Sequence, residues 1–203
     1  MKIMKKALIL LFSIAIISCK AQTIKPLYLS GSFNSGNYYK DIDNDLDKFV
    51  GTWLYTNDIM TFKIILKKRT NIFDTYSNCY VDIIVGEYQY IENGIEQTNT
   101  LSSIDINPES YEGNQIRGNL FSRCDGCLPG QRKVLHLSLF DPIITGGGRT
   151  MKMTATFVKI DGIFKLKVGL RQEVHWFDEN EGPIVPGGYL PVNDGKYFLI
   201  KQP

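Results

Sequence analysis

Cys124 and Cys127 frame Asp125-Gly126 in a C-x-x-C arrangement, the one short motif in this 203-residue chain with chemistry of its own. Such a pair can exchange electrons, close a disulfide or give two thiolates to a metal, and the flanking chain chooses among these. A redox pair takes its reactive thiolate from a helix N-terminus. Here Leu120-Phe121 precede the motif and Leu128-Pro129-Gly130 follow it, so it lies in a turn between strands with no helix to activate it. A zinc site needs four ligands, and Cys79 and His136 are the residues that could complete one. The leading reading is structural: paired thiols or a Cys124–Cys127 disulfide, whose short loop contributes only about 2 kcal/mol in the chain-entropy model. Cys79 falls in register with Val81, Ile83 and Val85, and reads as a free thiol buried like a small hydrophobe.

Asp41, Asp43, Asp45 and Asp47 alternate along the chain. An EF-hand loop starting at Asp41 needs glycine at its sixth position and glutamate at its twelfth, where this chain has Leu46 and Thr52. The acids fit better as a solvated helix start that complements the helix dipole. Of the two histidines, His136 falls on the wet face of a strand and His175 stands in Val174-His175-Trp176-Phe177 beside a long loop. No G-x-S-x-G, H-E-x-x-H or P-loop occurs, and a carboxylate pair for glycoside hydrolysis has no fixed spacing to search for. The expectation is no catalytic residue, no metal and no cofactor.

The loop 177–195 combines Asp178, Glu179 and Glu181 with Ile184, Val185, Tyr189 and three prolines. With His175 and Trp176 at its base, it is either a contact surface or a lid folded back over one end of the domain.

These residues need elements to hold them. Residues 20–40 are rich in Ser, Gly, Asn and Tyr and read as a tether, with a short strand at 27–29. Leu46, Phe49 and Val50 follow helical spacing, which predicts one short helix over 41–50 with Gly51 available to stop it. Beyond Gly51 the period becomes two. Phe164, Leu166, Val168 and Leu170 alternate with Lys165, Lys167, Gly169 and Arg171, giving one buried and one wet face. About nine strands follow, near 52–57, 60–69, 79–91, 95–101, 115–122, 133–140, 150–160, 163–176 and 196–201. Asn93-Gly94 and Asp161-Gly162 mark tight hairpins. Lys63, Lys67, Lys68 and Arg69 read as a solvated strand face, while 106–114 fits no element. The fold class is all-β, an antiparallel barrel or sandwich in one domain over 41–203.

The N-terminus sets the compartment. Lys2, Lys5 and Lys6 precede an apolar run over 7–17, too short for the roughly 20 residues that span a bilayer and suited to a secretory signal over 1–18. Without those three lysines the chain carries 20 Lys+Arg against 21 Asp+Glu, so nothing global suggests nucleic acid as a partner. Ile16-Ile17-Ser18-Cys19 resembles the lipobox of bacterial lipoproteins, which implies lipidation of Cys19 and cleavage after Ser18. Ordinary cleavage after Ala21 is the competing reading and would give a secreted protein.

Two further resemblances follow. Phe49-Val50-Gly51-Thr52-Trp53 is similar to the F-x-G-x-W opening of the calycins (lipocalins and fatty-acid-binding proteins). That resemblance implies a tryptophan plugging the closed barrel end under a late basic residue, for which Arg171 is the candidate. The equal alternative is a core tryptophan at the start of any β-domain. The whole chain resembles a family of small flavobacterial lipoproteins of unknown function, through Ser18-Cys19-Lys20-Ala21-Gln22, Gly51-Thr52-Trp53 and Val85-Gly86-Glu87-Tyr88-Gln89-Tyr90. The implied protein sits in the cell envelope, at the outer membrane facing the periplasm, with residues 19–40 as lipidated tether. Two functions remain open: a binding module for a small apolar or glycan ligand, and an accessory lipoprotein docked on another envelope protein.

Overall fold

The computed structural model describes residues 22–29, 33–122, 126–128, 130–140, 150–172 and 196–203. Its strands are β1 (Thr23–Pro26), β2 (Asn37–Lys40), β3 (Gly51–Thr56), β4 (Met60–Asp74), β5 (Cys79–Glu92), β6 (Ile95–Asn99), β7 (Ile116–Phe121), β8 (Val134–Phe140), β9 (Thr150–Ile160), β10 (Ile163–Gln172) and β11 (Lys196–Lys201). Eight of them close an antiparallel barrel in the order β5-β4-β3-β11-β10-β9-β8-β7, and the β7–β5 pairing completes the circle. The barrel alternative of the sequence reading therefore holds over the sandwich. Along the edge of β5 away from β4, β6 pairs beyond β7 outside the circle, and β2, with β1 parallel to it, pairs in parallel with the start of β5.

The two-residue period explains the closure. On each wall strand one set of side chains must face the interior, and an eight-stranded barrel is just wide enough for them to fill it. Trp53, Phe62, Ile64, Leu66, Tyr88, Tyr90, Leu135, Leu139, Leu166, Val168 and Leu199 are all at most 1% exposed. None of them borders a void that would admit a water molecule, so the interior at these residues is packed. Asn93-Gly94 and Asp161-Gly162 turn with positive φ at both residues, the two-residue geometry that suits twisted hairpins.

The secondary structure departs from the sequence reading in three places. The helix expected over 41–50 is one 3-10 turn, Asp47–Phe49. The Asp41 carboxylate accepts the backbone N–H groups of Asp45 and Leu46, and Asn44 takes φ of 54°, so the chain is bent before a helix can start. Part of the expected tether is sheet: β1 and β2 lie within 19–40, and Leu27 and Tyr39 are buried. Leu27–Leu29 is itself a 3-10 turn and no strand.

Candidate functional site

At the end of the barrel where β3 begins, Leu46 and Phe49 cover the interior and Trp53 stands beneath them, all three fully buried. The Trp53 indole N–H donates to the Phe49 carbonyl at 2.8 Å, which gives its polar atom a partner inside an apolar plug. Gly51 has φ of +135°, and a Cβ there would lie 2.6 Å from Lys201 Cε. The close approach lets Lys201 cross Gly51 and place its ammonium 5.6 Å from the Trp53 ring centre. Arg171, the basic residue expected over Trp53, lies instead on the outer wall opposite Lys152. The reason is register: β11 pairs β3, and Lys201 stands opposite Trp53.

Beside this plug lies a charged cluster. Asp41 and Asp45 are buried, contrary to the solvated helix start expected from sequence. Arg132 donates to Asp45 at 2.7 Å and to Asp43 at 3.0 Å, and its guanidinium lies 3.5 Å from the Tyr28 ring centre. Lys68 bridges Asp41 at 2.8 Å and Asp47 at 2.7 Å, and Lys48 reaches Asp45 at 3.1 Å. Burial would depress the Lys68 ammonium, but the two carboxylates outweigh it and hold its pKa above the usual lysine value. Each carboxylate of the cluster faces a lysine or arginine, so the group acts as a clasp between residues 41–50, β4 and the segment before β8. Cys127 in that segment is disulfide-bonded, while Cys79 is a buried free thiol whose pKa is pushed up by burial.

A second polar assembly covers the outer face of β4 and β5. Arg69, expected in solvent, is buried and donates to the carbonyls of Ile104, Asn107 and Ser110. It holds residues 101–114 against the barrel, including the 3-10 turn Leu101–Asp105. Under this flap the Glu87 carboxylate is fully buried and accepts from the Asn114 side-chain amide at 2.8 Å. Tyr111 donates to Asp74 at 2.7 Å.

The wall strands β7, β8 and β9 form the third feature, a groove of about 490 Å³. Gly118 makes it: pairing between β7 and β8 breaks between Arg117 and Leu120, and a Cβ at residue 118 would lie 2.6 Å from the His136 carbonyl oxygen. The groove is lined by Arg117, Asn119, Leu120, His136, Ser138, Lys152 and Met153, among others. Arg117 is set by ring contacts, 4.2 Å from the Phe140 centre and 5.4 Å from that of Tyr111. Among the described residues no carboxylate forms an ion pair with it. Register aligns Arg117, Ser138, Lys152 and Arg171 in one row across four strands. His136 Nε2 lies 2.7 Å from Ser122 Oγ. A guanidinium held by rings, an ammonium, an imidazole and hydroxyls can recognise a polar or anionic group. Nothing in the sequence pattern marks this site except Gly118-Asn119 interrupting an alternating strand.

The structure thus places Gly51 and Trp53 together, with Lys201 added. Cys19, Cys124, His175, Trp176, Ile184, Val185 and Tyr189 lie outside the described residues. A family model described as a family of unknown function (DUF6705) matches residues 1–202. No curated protein and no solved structure matches the chain.

Proposed function

This chain belongs to the DUF6705 family of unknown function, and from that premise we propose that it is an exported envelope lipoprotein acting as a binding module. Residues 1–18 direct export, and Cys19 carries the lipid that holds the module at the outer membrane facing the periplasm. The ligand site is the groove on the wall, and the ligand is small and polar, of the glycan type, with an acidic group facing Arg117 and Lys152. The observation that carries this reading is the contrast, among the described residues, between tightly buried interior side chains and an open groove whose arginine has no carboxylate partner. The packed interior argues against an apolar ligand inside the barrel. The outer wall also carries lysines and threonines at Lys152, Thr154, Thr156, Lys165 and Lys167, where a membrane-spanning barrel has an apolar band. The Trp53–Lys201 stack supports the calycin-like start without extending to a calycin-like interior site.

The test is titration calorimetry of the protein with acidic and neutral oligosaccharides, beside native mass spectrometry for copurifying ligand. Binding of an acidic glycan that Arg117→Ala and Lys152→Ala each weaken at least tenfold is the expected result. Binding untouched by both substitutions sinks the groove as the site. A second reading, an accessory lipoprotein docked on another envelope protein, draws support from the absence of Asp and Glu throughout β7, β8, β9, β10 and β11. Such a wall suits an acidic protein surface, and crosslinking in intact cells would recover that partner.

A further inference from the structure

We propose that the end of the barrel carrying the β9–β10 turn rests on the surface of an anionic bilayer, with Ile163, Phe164 and Ile200 seated among the headgroups. This deepens the preceding reading and rests on Cys19 carrying a lipid. The first observation is length. β1 opens at Thr23, four residues after Cys19, and four residues span at most about 14 Å. A lipid on Cys19 therefore holds β1 against the membrane rather than on a long leash.

The second observation is direction. β1 runs parallel to β2, and β2 parallel to β5, so Thr23 stands at the end of the sheet where β5 begins. The antiparallel order of the wall puts the β9–β10 turn, the start of β3 and the end of β11 at that same end.

The third observation is chemistry. At the turn, Ile163 and Phe164 are each 53% exposed and Ile200 is 47% exposed. Lys159 stands 5.3 Å over the Phe164 ring, Lys165 pairs with Ile200 in register, and Lys201 follows. Asp161 is the one acid in the hairpin. The acids at this end are matched, Asp47 by Lys68 and Asp43 by Arg132, whereas at the opposite end the exposed Ile59 and Ile95 sit beside Asp58, Glu92 and Glu96, which an anionic surface repels. Exposed apolar side chains ringed by lysines are what an interfacial contact requires: the apolar groups enter the headgroup boundary and the ammonium groups meet phosphate.

The experiment uses the full mature protein reconstituted in vesicles of phosphatidylethanolamine and phosphatidylglycerol, with brominated acyl chains as quencher. Phe164→Trp should be quenched strongly by shallow bromines, beyond the signal of the native tryptophans, and Ile95→Trp should not. Lys159→Gln should lower binding of unlipidated protein to these vesicles about fivefold, the effect of roughly 1 kcal/mol per lysine near an anionic surface. Mass measurement of the N-terminal peptide reports the lipid separately. If Cys19 is unmodified but the protein still sediments with anionic vesicles through Phe164 and Lys159, the anchor is wrong and the docking face stands. If a lipidated protein shows equal quenching at residues 164 and 95, the docking face is wrong and the anchor stands.

Discussion

Replacing Arg132 with methionine keeps much of the side chain's apolar volume and removes its charge. In the native protein this guanidinium faces Asp45, which is 1% exposed, and Asp43, while stacking on Tyr28. Removing one member of a buried ion pair typically costs about 3–5 kcal/mol, because the other charge stays in a poor solvent. Two contacts soften the loss here: Lys48 still reaches Asp45 at 3.1 Å, and the backbone N–H of residue 132 still donates to it at 3.2 Å. The expected loss is therefore at the low end, about 3 kcal/mol, or a fall in Tm of roughly 6–12 °C for a domain of this size. Urea denaturation and thermal melting, both followed by circular dichroism, measure it. Arg132→Met combined with Asp45→Asn removes the stranded charge as well and should recover more than half of the loss. A single variant within about 1 kcal/mol of the native protein refutes the reasoning, as does a double variant no better than the single.

Gly51→Ala should cost about 1–3 kcal/mol, since alanine is strained at φ of +135° and its Cβ displaces the Lys201 stem from Trp53; a urea midpoint equal to the native one would show that Lys201 yields freely. Stability should also fall as pH rises from about 10 to 12. Burial pushes the phenols of Tyr90 and Tyr111 up to about 12, helped by Glu92 and Asp74, whereas in the unfolded chain they ionise near 10. Their contribution is complete below the unfolded value and is lost on the way to the folded one, so Tyr111→Phe should flatten the decline in urea midpoint across that interval.

Most of the barrel wall was legible because strands such as β4, β8, β9 and β10 obey one constraint, a buried side chain at alternate positions. The β9 range of 150–160 and the β11 range of 196–201 follow from that period alone. β1 escaped it because Thr23, Ile24 and Lys25 are exposed and present no alternation. The charged clasp escaped for a different reason. Asp45 and Arg132 stand 87 residues apart, and nothing local tells a paired aspartate from a solvated one. Lys201 could have been found, since it shares the parity of Tyr197 and Leu199 and so belongs to the inner set, whereas Arg171 follows Lys165 and Lys167 on the outer one. The groove depends on Gly118 interrupting β7, and a glycine in a strand announces a close approach without saying what approaches.

The seam between β3 and β11 has a kinetic meaning. Leu54 meets Ile200 and Trp53 meets Lys201, so the cylinder shuts only through contacts between the first wall strand and the last few residues of the chain. Closing so long a stretch is entropically unfavourable until most of the structure is in place, which favours slow folding. Until synthesis reaches residue 196, β3 and β10 each present an open edge that would accept any extended peptide. The barrel therefore remains an open sheet until β11 docks between β3 and β10, and it becomes a closed object only at that step.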